Sequence, residues 1–209
     1  MDKYLETFKT WNKVAKLYED QFMDLDLYND TYDDFCKLLL KKNPSILEVG
    51  CGPGNITKYM LAKRPDFEIL GTDISPNMIA LAKKNCPNAT FEIIDSRKIE
   101  NIQQKFDAIV CGFCVPYLSE TDVAKFVNDC GNLLNEKGIL YLSFVEGEKD
   151  KSGYLESSTG DRTYFYYHDL ENVTNRLKLS NFEKQKLIHK SYLKSDKTQE
   201  VHTIIIAEK

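Results

Sequence analysis

The residues Glu48-Val-Gly50-Cys51-Gly52-Pro-Gly54 set an acid and three alternating glycines at the end of a short apolar run that begins at Ile46. Glycines at this spacing let backbone approach a ligand closely, and the N–H groups of a helix start favour an anionic group there. Asp73 closes the next apolar run, Phe67 to Gly71, where its carboxylate can accept from both hydroxyls of a ribose. Asp95 closes a third, Thr90 to Ile94. Strand, glycine loop, helix, strand and acid make up one mononucleotide-binding half. To this point the pattern serves NAD as well as other adenosine cofactors. A dinucleotide fingerprint starting at Gly50 needs glycine or alanine at position 55, and the residue there is Asn55.

Other residue types offer less. Cys111-Gly-Phe-Cys114 has C-x-x-C spacing, but a redox pair wants its first cysteine at a helix N-terminus. Here it ends an apolar run and leads into Val115-Pro116, and the reading is of small residues lining a strand end. No second Cys or His pair stands at zinc-ligand spacing, so no metal is expected. The six cysteines are scattered through apolar or glycine-rich segments of a 209-residue chain, which needs no disulfides to hold a core. With 28 basic and 32 acidic residues the net charge is −4, which argues against a surface built for nucleic-acid phosphates. No apolar stretch reaches the roughly 20 residues of a bilayer span, and the first ten residues carry no signal-peptide pattern. A soluble, cytoplasmic protein is expected.

The elements that must position these residues follow from periodicity. Phe8, Trp11, Ala15, Tyr18 and Phe22 recur at threes and fours, as do Tyr28, Tyr32, Phe35, Leu38 and Leu39, predicting a helical pair over residues 1–42. From 45 to 145 strands and helices alternate. Ser75-Pro76 and Ser119-Glu-Thr-Asp122 mark helix starts. This rhythm predicts an α/β fold, a doubly wound, mostly parallel sheet with helices on both faces. The segment Glu146–Asp161 is polar and reads as a binding loop, part of a substrate or lid segment over 146–167. A last helix capped by Asp169 precedes two β-rich runs, Phe182–Tyr192 and Glu200–Ala207, joined by Lys194-Ser-Asp-Lys197, which is hairpin spacing. The expectation is one domain over residues 1–209.

The E-x-G-x-G-x-G loop, the following G-T-D-I-S at Gly71–Ser75, Asp95-Ser96 and F-D-A-I-V at the fourth strand together resemble the class I S-adenosylmethionine-dependent methyltransferases. The resemblance runs from about Ser45 to Val145, then more loosely through the terminal helix and hairpin. It implies a Rossmann-like seven-stranded sheet ending in an antiparallel hairpin, with an N-terminal helical lid. It implies that Gly50, Cys51, Gly52 and Gly54 bring backbone against the methionine part of S-adenosylmethionine, with Glu48 fixing the loop. Asp73 then holds the ribose diol, Ile74 and Met78 flank the adenine, and Asp95 and Ser96 meet its edge. Cys111 and Gly112 line the methionine side, and Tyr18 closes over it.

The same resemblance implies transfer of a methyl group to a small-molecule acceptor by in-line displacement, leaving S-adenosylhomocysteine. Two departures stand out. Pro116 occupies the place where many small-molecule members carry histidine, and Val115-Pro116-Tyr117 lacks the asparagine of the N-P-P-Y sequences that act on adenine or glutamine nitrogens. The residues left as candidate bases are Tyr117 and His168. The missing histidine also keeps open a cofactor-binding regulator or partner subunit without catalysis, and an NAD-dependent oxidoreductase is the third alternative. The acceptor and the oligomeric state are not legible.

Overall fold

The computed structural model describes residues 2–157, 160–194 and 197–209. The centre is a seven-stranded sheet. In chain order its strands are β1 (Ser45–Val49), β2 (Glu68–Asp73), β3 (Thr90–Ile93), β4 (Phe106–Cys111), β5 (Leu134–Val145), and, after a small separate pair, β8 (Lys184–Leu193) and β9 (Gln199–Glu208). Their spatial order is β3-β2-β1-β4-β5-β9-β8, parallel through β5 and antiparallel in the last two pairings. This is the expected Rossmann-like sheet with its C-terminal hairpin. The strand order reverses between β1 and β4, so the loops leaving these neighbours diverge and open a crevice at their carboxyl ends.

Alternation along the strands divides the core. Leu47, Val49, Ile109, Cys111, Leu140 and Leu142 face α6 (Glu120–Leu133) and α7 (Leu170–Leu179). Ile46, Ala108, Val110, Ile139 and Tyr141 face α3 (Asn29–Leu38) and α4 (Asn55–Lys63). Apolar side chains on both faces are what a sheet covered on both sides requires. Tyr141 is fully buried in the second layer. Its hydroxyl pairs with Thr31 Oγ1 at 2.9 Å, and that hydroxyl donates to the Tyr28 carbonyl at 2.7 Å. The chain of bonds fastens the start of α3 to the middle of the sheet.

The helix starts read from sequence are in place. Ser75 accepts from the Met78 N–H ahead of α5 (Pro76–Asn85), and Asp169 accepts from Asn172. Ser119 accepts from Asp122, while its own N–H goes to the Tyr4 hydroxyl at 2.9 Å instead of back to Asp122. The N-terminal region differs from the expected pair: it forms three helices, α1 (Lys3–Lys13), α2 (Ala15–Phe22) and α3. The break falls at Val14, which carries no Gly or Pro to announce it. The polar segment after β5 also holds more structure than a loop. It contains β6 (Gly153–Glu156), which pairs antiparallel with β7 (Arg162–Phe165). Ser158 and Thr159 of that segment, and Ser195 and Asp196 in the expected hairpin turn, lie outside the described residues.

Thr31→Val removes the hydroxyl linking Tyr141 to α3 and is expected to cost about 1–2 kcal/mol in urea unfolding. Combining it with Tyr141→Phe is expected to cost less than the sum of the two single changes, because both hydroxyls serve one bond.

Candidate active site

The loop after β1 is turned back on its neighbour. The N–H groups of Gly50 and Cys51 both donate to the Thr72 carbonyl, at 2.8 and 2.9 Å. Gly50 has φ +71, and a Cβ there would lie 2.8 Å from the Cys114 Cβ, so both backbone and space call for glycine. Asp73 ties the next turn. Its Oδ2 accepts from the Gly52 N–H at 3.0 Å and its Oδ1 from the Ser75 N–H at 2.8 Å. Burial pushes this carboxyl above the usual aspartate range while these N–H groups work against the rise.

Beneath the loop lies Glu48, 1 % exposed. One of its oxygens takes the Thr57 hydroxyl from α4; the other, Oε1, has no hydrogen-bond partner among the described residues. Burial pushes its carboxyl up to about 8.

Two adjoining cavities open at the switch point. The first lies over the glycine loop and is partly open to solvent. Gly50, Gly52 and Asp73 form one side, Ile74, Met78, Asp95, Ser96 and Arg97 another, and Tyr4, Thr7, Phe8 and Trp11 of α1 roof it. Asp95 is gripped by Arg97, with Nε at 3.0 Å from Oδ1. Burial works to raise the Asp95 carboxyl, but the guanidinium outweighs it and holds the group below its usual value. The roof is tied on several sides. Asn12 accepts from the Ser75 hydroxyl at 2.9 Å, Thr7 accepts from the Tyr164 N–H at 2.9 Å, and Lys13 meets Asp161 at 2.8 Å.

The second cavity shares Trp11, Tyr18, Gly50, Gly112, Phe113 and Tyr117 with the first. It continues toward Phe22, Leu25, Tyr28, Phe165, Tyr192, Glu200 and His202. Its walls are mainly aromatic, and no lysine or arginine is among its lining residues.

The structure brings together Tyr18, Gly50, Gly52, Asp73, Ile74, Met78, Asp95, Ser96, Gly112 and Tyr117 around the first cavity. Tyr18 sits 3.7 Å from where a Gly52 Cβ would stand and packs edge-on to Trp11. Cys51 and Gly54 lie behind the loop, Cys51 buried with Ile79, Ala82, Cys86 and Phe91, and Gly54 close to Ala82 and Cys86.

Two expectations need correction. Cys111 is wholly buried toward α6, because alternation along β4 turns its side chain into the core, and Phe113 and Cys114 line the wall in its place. His168 lines neither cavity. It is buried, with Nε2 3.1 Å from the Val115 carbonyl, and so fastens the short turn Val115–Tyr117. Arg97 lines the first cavity and Glu200 and His202 the second without a motif to mark them. His202 sits in the run V-H-T-I-I-I-A, where nothing tells which face of the strand meets a ligand.

A family model described as a methyltransferase domain matches residues 46–138. A relative from Methanocaldococcus jannaschii, named "Putative protein N5-glutamine methyltransferase", is 33 % identical over 150 residues, covering 67 % of this chain and 68 % of that one. The malonyl-[acyl-carrier protein] O-methyltransferase of Acetivibrio thermocellus is 33 % identical over 135 residues, 64 % of this chain and 47 % of its own. The chain spans about half the length of this and another of the curated relatives it matches. The fold is that of the magnesium protoporphyrin IX methyltransferase of Synechocystis PCC 6803, solved with bound S-adenosylmethionine, with a TM-score of 0.72 at 14 % identity over 100 % of this chain and 98 % of that one. The strand order, switch-point crevice and glycine loop are those of a Rossmann-like fold. The chain belongs to the S-adenosylmethionine-dependent methyltransferases.

The residues present fit that cofactor. Glu48 Oε1 is a buried acceptor without a partner, and Trp11 Nε1, on a side chain lining both cavities, is a buried donor without one among the described residues. An amino-acid head carries the complementary ammonium and carboxylate. Because the Glu48 carboxyl is raised in the folded protein, its contribution to stability is present in full below about 4.5 and is lost as pH rises through about 8. Glu48→Gln is therefore expected to melt higher than the wild type in the ligand-free state at pH 8.5, by about 2–5 °C. The two melting temperatures are expected to converge toward pH 5 in thermal unfolding followed by circular dichroism.

Proposed function

We propose that this chain transfers the methyl group of S-adenosylmethionine to a small-molecule acceptor, with residues 45–145 carrying the cofactor and residues 1–42 and 146–167 shaping the acceptor's place within one domain. The observation that carries the reading is the meeting of the glycine loop, Asp73 and two unpaired buried polar groups at the sheet's switch point. No helix among the described residues is long and apolar enough to cross a membrane, and a cytoplasmic location is part of the same proposal.

The backbone of Gly50, Cys51, Gly52 and Gly54 would hold the methionine part, with Glu48 beneath it and Tyr18 and Gly112 along its side. Asp73, with lone pairs left after its two N–H bonds, would accept from the ribose hydroxyls. Ile74 and Met78 would flank the adenine, and Asp95 and Ser96 would meet its edge. When bound, the cofactor supplies an electrophilic methyl on a sulfonium, and S-adenosylhomocysteine remains. The protein's share is positioning and exclusion of water, which the α1 roof and the aromatic walls provide. Tyr117 forms part of the wall common to both cavities. The glutamine of the Methanocaldococcus relative's name does not suit Val115-Pro116-Tyr117, which lacks the N-P-P-Y asparagine.

Calorimetry with S-adenosylmethionine tests the reading: the intact protein is expected to bind, and Asp73→Ala to bind at least about tenfold more weakly through loss of charge-assisted hydrogen bonds. Binding a cation beside the Glu48 carboxyl, which burial keeps protonated below about 8, releases protons. Affinity is therefore expected to rise between pH 5.5 and 7.5, and Glu48→Gln to release fewer protons. An intact chain that shows no binding overturns the proposal.

A further inference from the structure

His202 is the polar feature of the second cavity that nothing so far employs. It is 7 % exposed, and its Nε2 has no hydrogen-bond partner among the described residues. Its ring is fixed from several sides. The Tyr28 hydroxyl lies 2.6 Å from Nδ1, Tyr192 stacks on the imidazole at 4.8 Å, and Phe113 packs at 4.9 Å. Tyr28 is itself held at its carbonyl by the Thr31–Tyr141 chain. His202 lines the second cavity with its ring clamped and one buried nitrogen left unpaired, a nitrogen that a ligand group can complete.

The surroundings say which group. Glu200 Oε2 stands 3.6 Å from Nε2, beyond a hydrogen bond yet close enough to favour a positive imidazolium. Lys190, opposite His202 across the β8–β9 ladder, has its ammonium 2.6 Å from Asp30. On the β5 side the residue opposite is Val145, and the next, Glu146, accepts from Thr203. The groups facing His202 are thus Tyr28, Tyr192, the paired Lys190 and Glu200, whose other oxygen, Oε1, takes the Lys194 ammonium and the Tyr167 hydroxyl, each at 3.2 Å. Burial holds the imidazole below its ordinary value, so it is neutral at pH 7 and free to take a proton. A neutral amine brings its own lone pair and needs no base at the attacking atom, whereas an un-ionised hydroxyl does. A carboxylate or phosphate would enter a cavity without lysine or arginine on its walls.

We propose that His202 is the proton acceptor of this methyltransferase and that its acceptors are uncharged aromatic molecules methylated on a hydroxyl. The assignment rests on the methyl-transfer reading above. With the Nδ1 proton given to the Tyr28 oxygen, Nε2 presents its lone pair to the acceptor hydroxyl. The acceptor oxygen bonds to the methyl carbon as the carbon–sulfur bond breaks, its electron pair staying on sulfur, and the hydroxyl proton passes to Nε2. The positive charge of the sulfonium therefore reappears on the imidazole, beside Glu200.

The test uses the full chain, S-adenosylmethionine labelled in its methyl group, and three isosteric acceptors: 2-naphthol, 2-naphthylamine and 2-naphthoic acid. Methylation of 2-naphthol in preference to the other two is expected, with kcat/KM falling on the acid side along a slope of one below the imidazole pKa. His202→Gln is expected to lower kcat on 2-naphthol about 100-fold or more with unchanged cofactor affinity, and to abolish the acid limb. On 4-nitrophenol at pH 8.5, an acceptor already ionised, its loss is expected to shrink to less than about fivefold, which a merely structural role would not produce. If His202→Gln does not fold, Tyr28→Phe carries the same comparison between the two phenols. Preference for the amine or the acid overturns the proposal. So does an equal loss on both phenols, or a chain that binds cofactor yet methylates neither phenol. Failure to bind S-adenosylmethionine at all overturns the earlier reading instead.

Discussion

Everything at the crevice hangs on the Asp73 carboxylate. By accepting the N–H of Gly52 with one oxygen and that of Ser75 with the other, it joins the loop leaving β1 to the start of α5. Those two segments form adjacent walls of the first cavity, so a single side chain sets the distance between them. The arrangement is buried and costs the carboxylate its hydration, which the two N–H bonds offset in part. Glu48 lies under the same loop with an oxygen left over, and burial raises its carboxyl too. Two acids held above their ordinary range within one crevice make it a place where positive charge is welcome.

How far the sequence could be read depended on whether a residue's role was set locally. The glycine loop, the acids at strand ends and the caps at Ser75, Ser119 and Asp169 are local patterns, and all lie where their spacing put them. Cys111 and Cys114 differ in a way spacing cannot show. The first is still in β4 and obeys its alternation, while the chain turns at Phe113, φ +56, and brings the second to the cavity wall. His202 is hidden for a related reason. It belongs to an apolar strand, and its partners Tyr28 and Tyr192 come from distant parts of the chain, so only the folded hairpin gives it an environment. His168 drew attention beside an aromatic run, yet the β7 hairpin carries it to the Val115 carbonyl.

The N-terminal cover differs in kind from the sheet it covers. α1 is joined to the β6–β7 segment by Lys13–Asp161, Arg162–Glu6 and Thr10 to the Arg162 carbonyl, and to the body by Asn12 on the Ser75 hydroxyl and Tyr4 on the Ser119 N–H. Exposed ion pairs are worth about 0–1 kcal/mol each. The sheet below is bound by a continuous apolar core on both faces.

Trp11, Tyr18 and Tyr117 are walls of both cavities at once. Changing any of them to reshape one cavity also reshapes the other. Phe22 and Phe165 line the second cavity and not the first. The molecule is thus divided, for the purposes of descent with modification, into a partition that cannot drift without reshaping both cavities and a far wall that can. A family built on this plan would diversify its chemistry from the far wall inward.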